Sequence, residues 1–414
     1  MSVQVFLDGT EVTDCVQSGS VTRTLNRPSQ ATARLYSECA IGNACSRMKV
    51  VIDGSLWFHG FAQQISTEAG EDGALISEYT ALDPMFLWKW RPARDGPGSA
   101  DPGDFSLPDF FREFIYGPQI LEQILLQSED DSDPEFGEGP LFIDLAGATY
   151  DSGIADLSGA PTDWPMTIAE VFELMSSTGT LDAVLSPIDS GGNMASLVVK
   201  NGDYGNNLTA TVAFEYATGD HNVKSVRMTE DSTAVCNKLW YYLGPRVGSA
   251  IDPPGDQHWR ANITADDPGL PDPPNSDIIS RRDASRSSCG VRMEVRIYDG
   301  QGDGVVDASP SAFRELYRRL WQMESWLRAI PRTLVHITPV KTSEFYQLPP
   351  GVTPVQVGDF DIGDMVTVTA DSIVRGGFTG AQRVYGFTVS WDEDGVVELG
   401  ELQTSADQEG IIGA

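Results

Sequence analysis

The sequence predicts a mainly β protein with minor α content, in which two β-barrel-like units from the chain ends flank a mixed α+β central region. Three observations carry this. Near the C-terminal end Met365, Thr367 and Thr369 fall on one face with Val366 and Val368 on the other, and Tyr385, Phe387, Val389 and Trp391 alternate likewise. That is the two-residue period of a half-buried strand. Near the N-terminal end Val3-Gln-Val-Phe-Leu7, Asp8-Gly9 and Thr10-Glu-Val12 read as strand, tight turn and strand. The 414 residues also include 41 glycines and 25 prolines between short apolar runs, at 41% hydrophobic content. Such punctuation favours many turns and short strands over long helices.

Taken in order, residues 1–92 form the first β-unit, closing on the aromatic cluster Leu87-Trp-Lys-Trp-Arg-Pro92. Residues 93–160 are a loop-rich insertion with short helices: Asp95 to Asp104 is loop by composition, and Ile120, Leu121, Ile124 and Leu125 make one apolar stripe behind Pro118. Ser128 to Glu138 is an acidic excursion. Residues 161–245 form a central α+β region. Thr167-Ile-Ala-Glu170 is a capping box, with Ile168, Val171, Phe172 and Met175 on one face behind it. Strands are expected at Leu181–Pro187 and Ala195–Lys200, and around Asn237. Residues 246–308 are Pro/Gly-rich loops with strands, since Pro253-Pro254 and Pro271-Asp-Pro-Pro274 forbid helix and central strand alike. Residues 309–332 form a long amphipathic helix with Ser309 as N-cap and Pro310 at its first position. Phe313, Leu316, Tyr317, Leu320, Met323 and Leu327 line one side, and Arg314, Arg318 and Arg328 the other. Residues 333–414 complete the C-terminal β-unit, with a reversal expected at Asp394-Gly395.

Charge excludes some functions. Sixty acidic residues against 28 basic ones give a formal charge of −32, the wrong sign for a phosphate-contacting surface. Arg281-Arg-Asp-Ala-Ser-Arg286 is a basic cluster too small to reverse that. No run of 18 apolar residues occurs, and the first residues lack the basic and apolar segments of a signal peptide. Synthesis in the cytoplasm is the expectation. Cys15, Cys39, Cys45, Cys236 and Cys289 are odd in number and contain no C-x-x-C pair, which argues against a disulfide framework or a zinc knuckle. A Cys39–Cys45 bridge across a short loop and free core thiols are both compatible with the spacing.

Catalysis finds little support. His59, His221, His258 and His336 are far apart, and no H-E-x-x-H, G-x-S-x-G or G-x-x-x-x-G-K-[ST] occurs. One constellation could hold a metal. Asp299, Gln301, Asp303 and Asp307, with Gly304 at the sharp turn, resemble the first nine positions of an EF-hand calcium loop, though Gln301 puts a neutral amide at position three. Position twelve, however, is Pro310, which has no carboxylate to offer. An ordinary Gly-Asp loop ending in a helix cap accounts for the same residues, and no other cofactor is indicated.

Several motifs carry a family resemblance. Asp361-Ile-Gly-Asp-Met-Val-Thr-Val368, then Gln382-Arg-Val-Tyr-Gly-Phe-Thr-Val-Ser-Trp391 ending in Asp394-Gly395, resemble the last barrel of tail hub proteins in long-tailed bacteriophages. Val3 to Asp14, the turn around Asn26, Pro28 and Ser29, and Met48 to Phe61 resemble the first barrel of phage tail hub and distal tail proteins. The chain resembles minor tail proteins of the tail hub and baseplate hub family, and an actinobacterial phage is one source compatible with that resemblance. The resemblance covers roughly the first 90 and last 60 residues and implies no enzymatic activity. It implies a homotrimer at the virion tail tip that caps the tail tube and opens for DNA. The partners implied are the tail tube and distal tail proteins, the tape measure protein and other minor tail or fibre proteins. The acidic balance then suits a lumen through which the genome slides without sequence-specific binding. Three other readings compete: a hexameric distal tail protein; a receptor-binding module using Trp57, Trp88, Trp90 and Trp259 as a sugar platform; and a wall hydrolase with paired carboxylates.

Overall fold

A computed structural model describes residues 2–69, 75–91, 93, 117–128, 140–150, 167–177, 181–200, 204–217, 221–232, 235, 238–243, 259–261, 286–288, 290, 293–298, 332–370 and 377–405. The first unit is an antiparallel set: β1 (Val3–Leu7), β2 (Thr10–Glu11), β3 (Val16–Thr24), β4 (Gln30–Tyr36), β5 (Arg47–Ile52), β6 (Ser55–Ala69) and β7 (Leu75–Leu82). The Asp8-Gly9 turn falls where the sequence places it, and Asp53-Gly54 makes a second of the same kind. Asp8 and Gly9 have φ of 47° and 80°, and Asp53 and Gly54 have 49° and 77°. Both central residues are left-handed, the backbone twist that matches paired strands and that Asp-Gly tolerates. The short 3-10 helix Pro84–Lys89 follows, capped by Asp83.

The middle of the chain supplies α1 (Gly117–Ser128), β8 (Ile143–Tyr150), α2 (Ile168–Ser177), β9 (Asp182–Ser190) and β10 (Asn193–Lys200). The strands form a separate sheet in the order β8-β10-β9. The capping box is present as expected: Thr167 N donates to Glu170 Oε2 at 2.7 Å, and Glu170 N returns a bond to Thr167 Oγ1 at 3.3 Å. Leu121, Ile124 and Leu125 of α1 and Ile168, Val171 and Phe172 of α2 share a core with Leu197 and Val199 of β10. Trp88 lies in the same core, 5.3 Å from Phe172 in an edge-on arrangement.

The remaining strands are β11 (Ala213–Tyr216), β12 (Val223–Asp231), β13 (Lys238–Leu243), β14 (Trp259–Ala261), β15 (Met293–Tyr298), β16 (Arg332–Pro339), β17 (Met365–Ala370), β18 (Phe378–Asp392) and β19 (Val397–Ser405). β13, β14 and β15 form a small sheet of their own. The others join the N-terminal strands in one 13-stranded sheet, ordered β12-β16-β19-β18-β3-β4-β7-β6-β5-β1-β2, with β17 and β11 branching from β18. The seam is antiparallel pairing of β18 with β3, from Gly386 opposite Thr24 to Asp392 opposite Ser18. The mainly β class with minor α content is therefore what forms; among the described residues no closed barrel occurs, and strands from the two chain ends join in one sheet. A single core runs across the seam, from Val5, Leu35 and Met48 to Val366, Phe387 and Leu402.

The reversal before β19 is wider than the two-residue turn expected at Asp394-Gly395. Gly395 N bonds to Asp392 O, and the Asp392 carboxylate accepts from Asp394 N and Val396 N. The cysteine reading also needs correction. Cys15 and Cys39 form a disulfide with their Cα atoms 6.1 Å apart, and Cys45 is free and exposed. Pairing of β3 with β4, Val16 opposite Leu35, carries the two cysteines to the same end of the hairpin. Spacing in sequence does not reveal that approach, because it is made by strand register.

Candidate functional site

The residues singled out for metal, Asp299, Gln301, Asp303 and Asp307, lie outside the described residues, as do Asn237 and residues 309–331 of the expected 309–332 helix, whose last residue, Arg332, instead begins β16. Among the described residues no group of three His, Cys, Asp or Glu side chains could hold a metal ion. Among the described residues the indoles have different surroundings. Trp88 is 1% exposed and Trp90 75%, Trp57 packs edge-on against Phe387, and the side chain of Trp259 is outside the described set. His59 is bonded to the Ile188 carbonyl and His336 to Glu401, and His258 lies outside the described residues.

What the fold does assemble is a buried polar joint where N-terminal, central and C-terminal segments meet. Asn26, between β3 and β4, adopts φ of 62°, a left-handed value that asparagine tolerates. Its Oδ1 accepts from Ala183 N at 2.8 Å, and its Nδ2 donates to Asp182 Oδ1 at 3.0 Å. The other Asp182 oxygen accepts from Arg383 Nη2 at 2.5 Å and from Tyr204 N at 3.2 Å. Arg383 also donates to the carbonyls of Tyr204 at 2.7 Å and Gly363 at 3.3 Å. One side chain of β18 thus ties down the start of β9 and the two turns beside it.

The Asp361-Ile-Gly-Asp364 turn builds the second half of the joint. Asp361 takes a 2.7 Å ion pair from Arg23 of β3. Asp364 accepts from Asn206 N at 2.7 Å with one oxygen and from Asp361 N at 2.7 Å with the other. Gly363 at φ 82° and Gly205 at φ 109° pack back to back: a Cβ on Gly205 would lie 2.2 Å from Gly363 C. Only glycine fits both the backbone angle and the space.

A recess opens beside the joint, lined by Arg23, Ser29, Trp57, Phe58, His59, Asp83, Leu185, Pro187 and Ala195. Burial pushes the Asp83 carboxyl up to about 7, against the opposing pull of backbone N–H bonds from Ser29 and Met85. Burial likewise lowers the His59 imidazole below its ordinary 6.5. Ser29 bonds to Asp83 through both its backbone N–H and its side chain, and His59 is committed to the Ile188 carbonyl. The joint's polar groups are turned on one another and on backbone, so its chemistry is that of a fastening. Sequence reasoning quoted Arg383, Asn26 and Asp364 inside motifs without assigning them work. The available signal was an arginine in the middle of an apolar alternation, where a charge must find a buried partner.

No family model matches the chain, and no curated protein matches it. Solved structures do. The tail protein from Neisseria meningitidis MC58 aligns with a TM-score of 0.53 at 11% identity, over 98% of this chain and 96% of that one. The prophage MuSo2 43 kDa tail protein from Shewanella oneidensis aligns with a TM-score of 0.51 at 12% identity, over 97% of each chain. At such identities the likeness is one of fold, and it runs nearly end to end in both pairs. The chain has the fold of these tail proteins.

Proposed function

We propose that this chain is a structural component of a bacteriophage tail, the hub at its tip that closes the tail tube, anchors the tape measure protein and distal fibres, and opens for DNA. The observation that carries the reading is the near-complete overlap of fold with two tail proteins. Two further features support it. The β18–β3 seam makes one continuous sheet of the chain ends, a stiff platform of the kind a ring component needs. A formal charge of −32 repels a polyanion and gives a sliding genome no sticking points. The protein acts by position, without enzymatic chemistry. It works as a homotrimer in contact with tail tube and distal tail proteins and with other minor tail or fibre proteins, in a tail of the kind borne by actinobacterial phages. Permanent contacts of this sort bury thousands of square ångströms.

Cryo-electron microscopy of the virion that encodes the chain tests this. Three copies in a closed ring beneath the tube, with acidic residues on the bore, is the expected result. Six copies would make the chain a distal tail protein. A peripheral position, or absence from the particle, overturns the hub.

A further inference from the structure

The three-stranded sheet is fastened to the large sheet at both ends of β9, and the two fastenings differ in chemistry. At the first end Asp182 is held by Arg383 and Asn26 in a buried, hydrogen-bonded setting without an imidazole. About 20 Å along the strand, at the usual rise per residue, the second end is held by His59 and Lys49. His59 Nδ1 donates to the Ile188 carbonyl at 2.7 Å, and Lys49 pairs with Asp189 at 2.7 Å. Phe142, at the start of β8, adds an edge-on contact with Phe61 at 4.9 Å. Between the sheets, reaching from Arg23 beside the joint to His59, lies a small recess, with Arg23, His59 and Asp83 on one side and Leu185, Pro187 and Ala195 on the other.

We propose that β9 is a hinged strap: its Asp182 end is a permanent pivot, and His59 at its Ile188 end is a proton-operated latch that releases this end from β6 in acid. The charges around His59 set the direction. Arg47 and Lys49 act on it from β5 and Asp189 from β9, while Arg23 of β3 and Asp83 share its recess. Burial is the largest influence holding the imidazole neutral; Lys49 and Arg47 add to it, and the Ile188 carbonyl and Asp189 oppose it. Asp83 offers no compensating charge in acid, since burial keeps its carboxyl protonated below about 7. Asp189 stays ionised, held low by its hydrogen bond from Lys49, but that bond already commits it. A proton on His59 therefore places a buried cation among Arg23, Arg47 and Lys49. The released strap lets the imidazole reach water and titrate at its ordinary value. Falling pH, from about 6.5 downward, thus draws the equilibrium towards release. This inference stands whether or not the chain is a tail hub.

The test is a distance measurement on the full chain, with Cys45, Cys236 and Cys289 replaced by serine and spin labels at Gln63→Cys on β6 and Ser190→Cys on β9, both exposed positions. At pH 7.5 one short distance is expected. At pH 5.0 a second population longer by about one strand spacing, roughly 5 Å, is expected. A control pair at positions 30 and 63, within the large sheet, stays unchanged. His59→Asn keeps an amide donor near the Nδ1 position and does not titrate, so it is expected to hold the short distance at both values. An unchanged distance in the parent at pH 5.0 overturns the latch, as does an acid response that survives in His59→Asn. The parent comparison decides the matter alone if the variant fails to fold.

Discussion

Arg383 and Asp182 meet across 201 residues of chain, Nη2 to Oδ2 at 2.5 Å, with side chains 5% and 4% exposed. An ion pair this deep is favourable only because every neighbouring group is arranged for it, so removing one partner strands the other. Asp182→Ala is expected to destabilise the chain by about 3–5 kcal/mol, read as a lower urea midpoint. Arg383→Met is expected to cost a similar amount, and the double variant clearly less than the sum of the two. Additive losses would mean that the two side chains are not coupled.

The β18–β3 seam depends on a close approach at Gly19. A Cβ there would lie 2.3 Å from Trp391 Cζ2 and 2.6 Å from the Thr32 carbonyl oxygen, and the latter is backbone that cannot swing away. Gly19→Ala is expected to lower stability by about 1–3 kcal/mol. Gly380→Ala on β18, where nothing lies within 4 Å of the added carbon, is expected to change it by less than about 0.5 kcal/mol. Equal unfolding midpoints for the two variants would show that the seam is not tightly packed at Trp391.

Local order was open to a reader of the sequence, and long-range fastening was not. The alternation from Met365 to Ala370 appears as a strand with every second residue buried, and the Thr167–Glu170 box and the Asp8-Gly9 turn sit where they were expected. These are consequences of neighbours within a few residues. In β18 the alternation fails from Gln382 to Phe387, all buried, because one face meets the core and the other the polar joint. The joining of both chain ends into one sheet, and of Asn26 to Asp182, is decided by tertiary packing that no spacing rule contains. The same holds for Cys15 and Cys39, whose meeting follows from register between β3 and β4.

The Cys15–Cys39 bond closes a sequence separation of 24 residues. A loop of that length restricts the unfolded chain by about 3 kcal/mol on the chain-entropy account. Cys15→Ser with Cys39→Ser is therefore expected to lower the unfolding free energy by about that amount, and dithiothreitol to lower the parent equally. Reductant that leaves the parent's urea midpoint unmoved would refute a stabilising bridge.

Asp83 gives stability a pH dependence of definite sign. Its carboxyl accepts from Ser29 N at 2.8 Å and Met85 N at 3.0 Å, yet burial raises its pKa from 3.8 to about 7. The folded chain therefore holds this proton over a range in which the unfolded chain has released it. The contribution is fully present below about pH 4 and is lost as pH rises through about 7, on the order of a few kcal/mol in all. Asp83→Asn keeps the acceptor for Met85 N but turns a donor towards Ser29 N, so it starts less stable than the parent in acid by about 1–3 kcal/mol. Its stability lacks the titration, so the gap between parent and variant is expected to shrink as pH rises from 5 to 8. Urea unfolding at each pH measures the gap, and carbon-detected titration of the Asp83 carboxyl measures the pKa itself. A gap that widens with pH, or a carboxyl that titrates near 4, would mean that its hydrogen bonds outweigh its burial and that Asp83 is an ordinary ionised cap.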